Sequence, residues 1–423
     1  MRRANFILSI TFISLILIFF FSGSNMPPGQ PGDDVRASTR SIEFDFVSWM
    51  LNAFWVKNEQ SALSIPAYMS DAQQSQHVRD TMILVDQRDR LRYQIELIYS
   101  DPKIKDPAAA SLDLRNKEAE LTSRLDKYQP LAEEILQNQV SAVLTDLGLT
   151  TGGKPLPPLL YHTTDLPLAM IISPRNVIEQ KNNISLLPNL TIEQITRLEQ
   201  EVEKRLDVSA LVVEVGGIGV YPTMVMSSSS LPWVSDTIAH EWIHNYLTLR
   251  PLGLNYETTP ELRTMNETTA SIAGNEIGEE VLRRYYPELA PPPPAPAATE
   301  TTQSPPPPPS NDPPPFDFRA EMHTTRVGAD ELLAQGKIVE AENFMEQRRL
   351  FFWENGYRFR RLNQAYFAFH GAYADSPGGA AGEDPVGPAV RALRQRSATL
   401  VDFIDQIAWM TSFDQLLQVV KPK

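Results

Sequence analysis

The sequence contains no cysteine among its 423 residues. This absence excludes structural disulfides, zinc–thiolate sites, iron–sulfur clusters and lipidated cysteine. Any metal ion must therefore be held by histidine, carboxylate or other oxygen ligands. Histidine is itself scarce, with six residues in the chain, so a histidine-based site has few residues to draw on.

Positive charge is also in short supply. The chain has 38 Lys and Arg residues against 52 Asp and Glu residues, a formal net charge of −14. Such a chain has no general attraction for nucleic acid or an anionic membrane surface, and we expect no nucleic-acid partner. Hydrophobic residues make up 42% of the chain, which is enough for a buried core. The length corresponds to two or three domains of ordinary size.

The first 24 residues have the pattern of a targeting segment. Arg2 and Arg3 precede an uncharged apolar run over residues 6–21, and Ser22-Gly23-Ser24 offers a small-x-small cleavage site. As a helix this run would extend roughly 24 Å, against about 30 Å for the hydrocarbon core of a bilayer. Residues 1–24 are therefore predicted to be either a signal peptide or a membrane anchor. Both interpretations place the rest of the chain outside the cytoplasm, secreted or anchored through residues 6–21.

Residues 34–150 are predicted to form a helical hairpin or arm. Two helical patterns flank a break at residues 101–107, and the second carries apolar or aromatic residues seven positions apart at Leu114, Leu121, Tyr128 and Ile135. The hairpin is either a partner-binding arm or a scaffold pair. We favour the scaffold, because such stripes usually mark packing between helices.

Residues 155–290 differ in composition from the preceding helices and are predicted to form a separate domain with a small sheet. Short apolar runs bounded by Pro, Gly and Asn predict the strands, and Thr191 marks the start of a helix that ends near Leu206. Two long helices follow, over residues 232–249 and 261–286. The fold class predicted for the whole chain is α+β with helices dominant.

The remaining residues divide into a Pro-rich segment and a helical region. Residues 291–315 hold 13 of the 35 prolines, which predicts an extended polyproline linker or surface insertion. A partner that binds this segment or the helical arm stays an open alternative. Residues 316–423 are predicted to be helical, with a Gly- and Pro-rich break at residues 376–388.

The run HEWIH, which contains His240, Glu241 and His244, carries the clearest chemical signal. Two histidines four apart on a helix lie on one face, so both imidazoles can reach one metal ion. Glu241 is then placed to take a proton from a water molecule beside that ion. The neighbouring residues are largely apolar and predict a buried helix: Ile238, Ala239, Trp242, Ile243 and Leu247.

A third protein ligand is expected, because catalytic zinc usually takes three and leaves one position open. A histidine close downstream is excluded, since Leu247 and Arg250 occupy the positions of a His-x-x-Gly-x-x-His motif. Glu267 is the better candidate, with Glu276 as its rival. Gly274 and Gly278 lie on the same helical face as Glu267, each at a cost of about 1 kcal/mol relative to alanine. That cost predicts a close approach to the histidine helix.

At this point the sequence resembles the gluzincin branch of zinc metallopeptidases, which pairs HExxH with a later Asn-Glu-x-x-Ala glutamate. Asn266, Glu267 and Ala270 match the second motif, and the resemblance covers residues 156–290. It implies a zincin-like domain with one zinc ion per chain, held by His240, His244 and Glu267. It also implies a substrate-binding edge strand near residues 219–226.

Two departures from the family pattern stand out. No Gly-x-Met-Glu-Asn signature precedes the HEWIH helix, so anchoring of a free amino terminus is not supported. Serine stands at position 271, where several gluzincins carry an acidic residue that orients a zinc histidine.

The resemblance further implies a Tyr or His beyond the third ligand that stabilises the transition state. Tyr286 and His323 are the candidates for this role, and Tyr285, next to Tyr286, is a third. His77, His162 and His370 have no partner pattern and are predicted to be ordinary histidines.

The predicted function is zinc-dependent hydrolysis of a peptide or protein substrate outside the cytoplasm, with Glu241 as general base. Two alternatives stay open. One is a non-catalytic envelope scaffold with a vestigial zinc site, and the other is a zinc hydrolase of non-peptide bonds.

Overall fold

A computed structural model describes residues 33–100, 104–292, 316–373 and 379–421. The predicted targeting segment, residues 1–24, and all but two residues of the Pro-rich segment lie outside these ranges. The described chain is helix-dominated α+β, as predicted, with two three-stranded sheets. None of its described helices combines the length and apolar character that a membrane span requires.

Helices precede and follow the strands along the chain. The helices before the first strand are α1 (Asp33–Thr39), α2 (Phe46–Leu63), α3 (Asp71–Ser100), α4 (Pro107–Ala110) and α5 (Leu112–Asp146). The middle of the chain contains β1 (Tyr161–Thr163), β2 (Leu168–Pro174), β3 (Asn182–Leu186), α6 (Ile192–Leu206), β4 (Val208–Val213), β5 (Gly217–Ile218), β6 (Thr223–Val225), α7 (Leu231–Thr248), α8 (Pro251–Leu254) and α9 (Pro260–Tyr285). The last helices are α10 (Phe318–Ala334), α11 (Ile338–Glu354), α12 (Gln364–His370), α13 (Val386–Arg396), α14 (Leu400–Ala408) and α15 (Phe413–Val420).

Helices α3 and α5 form the predicted hairpin. The ring of His77 meets the Tyr128 carbonyl at 3.0 Å, whereas Arg92 meets Glu118 at 2.9 Å, so the two helices run in opposite directions. The second half of α5 does not stand apart as an arm, however. Its buried residues join the central core together with α7, α9 and α13–α15: Ala132, Ile135, Leu136, Val140, Val143 and Leu144. This half of the hairpin is therefore scaffold for the rest of the fold.

A buried ion pair joins α2, α5 and β1. Lys57 donates to Glu133 at 2.6 Å, and both side chains are almost completely buried. The other oxygen of Glu133 accepts from the Thr163 backbone at 2.9 Å, while His162 Nδ1 lies 3.1 Å from the oxygen that Lys57 binds. Burial alone would raise the pKa of Glu133, but Lys57 and His162 hold that pKa well below its ordinary value. The carboxylate therefore stays charged, and each group depends on the others.

The structure contains two small sheets where the sequence predicted one. The first has the order β1-β6-β5, with β1 parallel to β6, and the second has the antiparallel order β3-β2-β4. Strand β2 is buried on both faces. Met170 and Ile172 pack towards α6, and Ala169 and Ile171 pack towards α12. Helices therefore cover both faces of β2, and β3 and β4 pair with its two edges.

Helices α7 and α9 approach each other closely at two glycines. A Cβ atom on Gly274 would lie 2.8 Å from Asp236 Oδ1 and 3.0 Å from His240 Cβ. One on Gly278 would lie 2.9 Å from the Asp236 backbone nitrogen. This contact confirms the predicted small-residue face. The helix bounds differ from the predicted ones by a single residue at each end, which is the ordinary uncertainty of helix termini.

Candidate metal centre

Helix α7 presents the HEWIH run from a firmly seated backbone. Ser230 caps its amino terminus by accepting from the Trp233 backbone, and Pro232 occupies the first turn. Trp242 is buried and donates from its indole nitrogen to the Pro157 carbonyl at 2.9 Å. The apolar neighbours predicted from the sequence are all buried. The helix is therefore fixed against the core on several sides.

The structure brings His240, His244 and Glu267 together. The two Nε2 atoms lie 3.0 Å apart, and Glu267 Oε2 lies 3.6 Å from His240 Nε2 and 3.5 Å from His244 Nε2. A circle through three atoms at these separations has a radius of about 2.0 Å, the length of zinc–nitrogen and zinc–oxygen bonds. Among the described residues, this is the one His, Asp or Glu cluster with such geometry.

One oxygen of Glu267 supports this assignment independently. Tyr256 donates its hydroxyl to Glu267 Oε1, whereas Glu267 Oε2 is buried and accepts no hydrogen bond. A buried carboxylate oxygen without a partner is costly, and native proteins rarely keep one. Because this oxygen faces the two imidazole nitrogens, a cation bound between them would satisfy it. The residues present therefore fit a metal ion with nitrogen and oxygen ligands.

Asn266 supplies the orienting group that the sequence left unidentified. Its Oδ1 lies 2.8 Å from His244 Nδ1 and can only accept, so the hydrogen bond assigns the proton to Nδ1. The Nε2 atom of His244 then carries a lone pair towards the cluster. Metal-binding histidines are usually held in this way through their second nitrogen.

The charges within the cluster are strongly coupled. Burial alone would raise the pKa of Glu267, but the adjacent imidazoles of His244 and His240 hold it well below its ordinary value. Burial lowers the pKa of His244, and Glu267 more than offsets this, raising the pKa to about 9. Metal binding at such a cluster competes with protonation of its ligands.

The glycine-rich segment around β5 lies directly against Glu241. A Cβ atom on Gly217 would lie 2.5 Å from Glu241 Oε1, and one on Gly219 would lie 2.9 Å from His244 Cβ. Only glycine fits at these two positions without displacing the side chain of Glu241 or His244. Burial raises the pKa of Glu241, while the two nearby histidines lower it. Strand β5 therefore forms one wall of the site.

A cleft of about 710 Å³ opens over the cluster. Its walls come from the β5 segment, helices α7 and α9, the end of α12, and residues of β2 and β3. The predicted ligands and Glu241 all line it. Glu276, the rival third ligand, does not line the cleft. Its two carboxylate oxygens instead bind Arg394 at 2.7 and 2.8 Å.

Two other predicted residues are also placed elsewhere, and these predictions are corrected. Tyr286 is fully buried and donates to Gln139 Oε1 at 2.8 Å, on the side of α9 that packs against α5. It follows Glu267 by 19 positions, so the helix carries it roughly 28 Å away. His323 pairs with Glu383 at 3.4 Å and does not line the cleft. The C-terminal helix that reaches the cleft is α12, whereas His323 lies on α10.

The sequence interpretation missed four residues of the cleft. Tyr256 lies in the loop before α9 and Arg263 in the first turn of α9, while His370 ends α12 and Tyr373 lies three residues beyond it. The ring of Tyr373 stacks on His240 with the centroids 6.4 Å apart. Arg263 could have been found, since it precedes Glu267 by one helical turn. No local pattern connects the other three to the metal ligands.

The states of these aromatic groups follow from their surroundings. Tyr373 is 37% exposed, but the packing around it and the nearby carboxylates of Glu267 and Glu241 raise its pKa above the ordinary value. Burial lowers the pKa of His370 to about 4. At neutral pH the cleft therefore presents a protonated phenol and a neutral imidazole beside the cluster.

In comparisons with known proteins, no family model, no curated protein and no solved structure matches the chain. The geometry of the site therefore carries the functional argument. The resemblance to gluzincins remains an expectation based on two short motifs.

Proposed function

We propose that this protein is a zinc-dependent hydrolase of peptide bonds. The observation that carries the proposal is the convergence of two imidazole nitrogens and one unpartnered, buried carboxylate oxygen next to Glu241. Two nitrogens and one carboxylate oxygen form a ligand set typical of catalytic zinc. His240, His244 and Glu267 would hold the ion.

When bound, zinc supplies a Lewis acid that polarises a carbonyl and makes a water molecule more acidic. Glu241 acts as the general base, taking a proton from the attacking water and passing it to the leaving amine. The hydroxyl of Tyr373 donates a hydrogen bond to the substrate carbonyl oxygen as negative charge develops there. His370, neutral in its buried position, is the second donor on that wall.

The β5 segment favours an extended peptide as the substrate. Strand β5 pairs with β6 on one side, and residues 216–219 face the cleft. An extended chain laid along this edge would satisfy backbone groups of β5 and pass over Glu241. The export of the chain, predicted from residues 1–24, remains part of this proposal. An extracytoplasmic peptide or protein is the substrate expected.

Metal content and turnover together test the proposal. Full-length protein purified without chelator should contain about one zinc ion per chain and should cleave casein or a mixed peptide library. Removal of zinc with 1,10-phenanthroline should abolish cleavage, and added zinc should restore it. Zinc binding without turnover would favour the vestigial scaffold, and absence of zinc uptake would refute the assignment. Glu241→Gln protein is the matched control for contaminating peptidases.

A further inference from the structure

Helix α12 connects the second sheet to the metal centre. Ala365 and Phe369 pack on β2 and β4, while His370 and Tyr373 at its far end line the cleft. Near that end, Arg263 donates from Nη1 to the Ala368 carbonyl at 2.8 Å. The position of the wall that carries Tyr373 therefore depends on how α12 is held.

The beginning of α12 is held by a carboxylate from another part of the chain. Glu199 on α6 has no exposed side-chain surface, and its Oε1 accepts from the Val212 backbone at 2.7 Å. Arg360 binds it in bidentate fashion, from Nη2 to Oε1 at 2.5 Å and from Nη1 to Oε2 at 2.6 Å. Arg361 adds a third arginine contact, from Nη1 to Oε2 at 3.0 Å. We call this group the Glu199 clasp.

The chain between the Glu199 clasp and α12 is short. Only two residues stand between Arg361 and the first residue of α12, and extended chain spans at most about 3.6 Å per residue. One of those two, Asn363, caps the helix and also donates to the Ala210 carbonyl at 3.0 Å. A buried carboxylate that binds two arginines is costly to assemble and rigid once formed.

We propose that Glu199 is a positioning residue of the metal cleft. Through its two arginines it sets where α12 begins, and thereby where Tyr373 stands relative to His240. Peptide hydrolysis then depends on a residue that never touches the substrate. The kinetic consequence rests on the proposed function, whereas the structural consequence does not.

Hydrogen exchange measured by mass spectrometry on the full chain tests the structural part. Glu199→Gln keeps the size of the side chain but removes the charge that binds Arg360, while Arg361 keeps its contacts to Glu203. Amides of α12 should exchange about 10-fold faster in this variant, while those of α7 keep their protection. Glu276→Gln is the matched control, since it breaks another bidentate arginine clasp, between α9 and α13, and should leave α12 unchanged. Arg360→Lys provides a milder version if Glu199→Gln does not fold.

A double-mutant cycle tests the kinetic part. Glu199→Gln should lower kcat by about 10- to 100-fold, the cost of a misplaced catalytic group, with KM and zinc content little changed. In a Tyr373→Phe background the same substitution should cost much less, because the group that it misplaces is already disabled. Fully additive effects, or unchanged α12 protection in both clasp variants, would overturn the proposal. If the wild-type protein binds zinc but cleaves no peptide, the proposed function fails, and the exchange result alone decides the positioning role.

Discussion

Asn266→Ala removes the hydrogen bond that orients His244 within the cluster. Asn266 is buried, with 1% of its surface exposed, so water cannot replace the 2.8 Å bond to His244 Nδ1. The variant loses a hydrogen bond and leaves a buried N–H group unpaired, at a cost of about 1–3 kcal/mol. Loss of such an outer partner typically weakens metal binding by about 10- to 100-fold, which is the same range in free energy. We expect zinc affinity to fall by that factor.

Competition between the protein and a fluorescent zinc chelator measures this change directly. Asn275→Ala is the matched control, because Asn275 lies on the same helix, outside the lining of the cleft, and donates to the Ser271 carbonyl at 2.8 Å. Asn266→Asp keeps the acceptor and adds negative charge, so its zinc affinity should equal or exceed that of the wild type. The reasoning fails if Asn266→Ala binds zinc as tightly as Asn275→Ala does.

Three further predictions concern Glu241 and Glu267, Glu133, and the predicted targeting segment. Glu241→Gln should keep full zinc occupancy while turnover falls by about 10²–10⁴-fold, whereas Glu267→Ala should lose zinc affinity and regain part of its activity in excess zinc; equal metal loss in both variants would contradict these roles. Glu133→Gln should lower the free energy of unfolding by about 3–5 kcal/mol at neutral pH, because it leaves Lys57 buried and unpaired. Since the folded pKa of Glu133 is lowered, its contribution is complete above the unfolded value of 4.5 and is lost as the pH falls below it. Urea titrations should therefore show the gap between wild type and variant shrinking in acid, and a constant gap would refute the coupling. A reporter fused to the C-terminus should be active only outside the cytoplasm if residues 6–21 direct export, and cytoplasmic activity would contradict that prediction.

Features that depend on neighbouring residues were readable from the sequence. The spacing of His240 and His244 follows from the helical repeat alone, and the structure brings both to one point with Glu267. The glycines of α9 predicted a close helix contact because glycine is otherwise costly there, and the contact is present. Thr191 and Gln194 form a reciprocal cap at the start of α6, where a helix start was predicted from Thr191. In each case the sequence pattern that gave the prediction spans one or two helical turns.

Features that depend on distant packing were decided only by the tertiary structure. Tyr286 follows Glu267 by only 19 positions but lies far from it, because a helix separates the two. Tyr373 lies 106 positions after Glu267, yet its ring stacks on His240. The hairpin merges with the central core, and the strands divide into two sheets, because burying apolar faces brings together segments far apart in the chain. Helical periodicity predicts which side chains share a helix face over a few residues. The wall of the cleft that carries Tyr373 is set by α12, and the position of α12 depends on β2, β4 and the Glu199 clasp. Local spacing therefore predicted that the two histidines lie together, and only long-range burial and ion pairing determined which other groups face them.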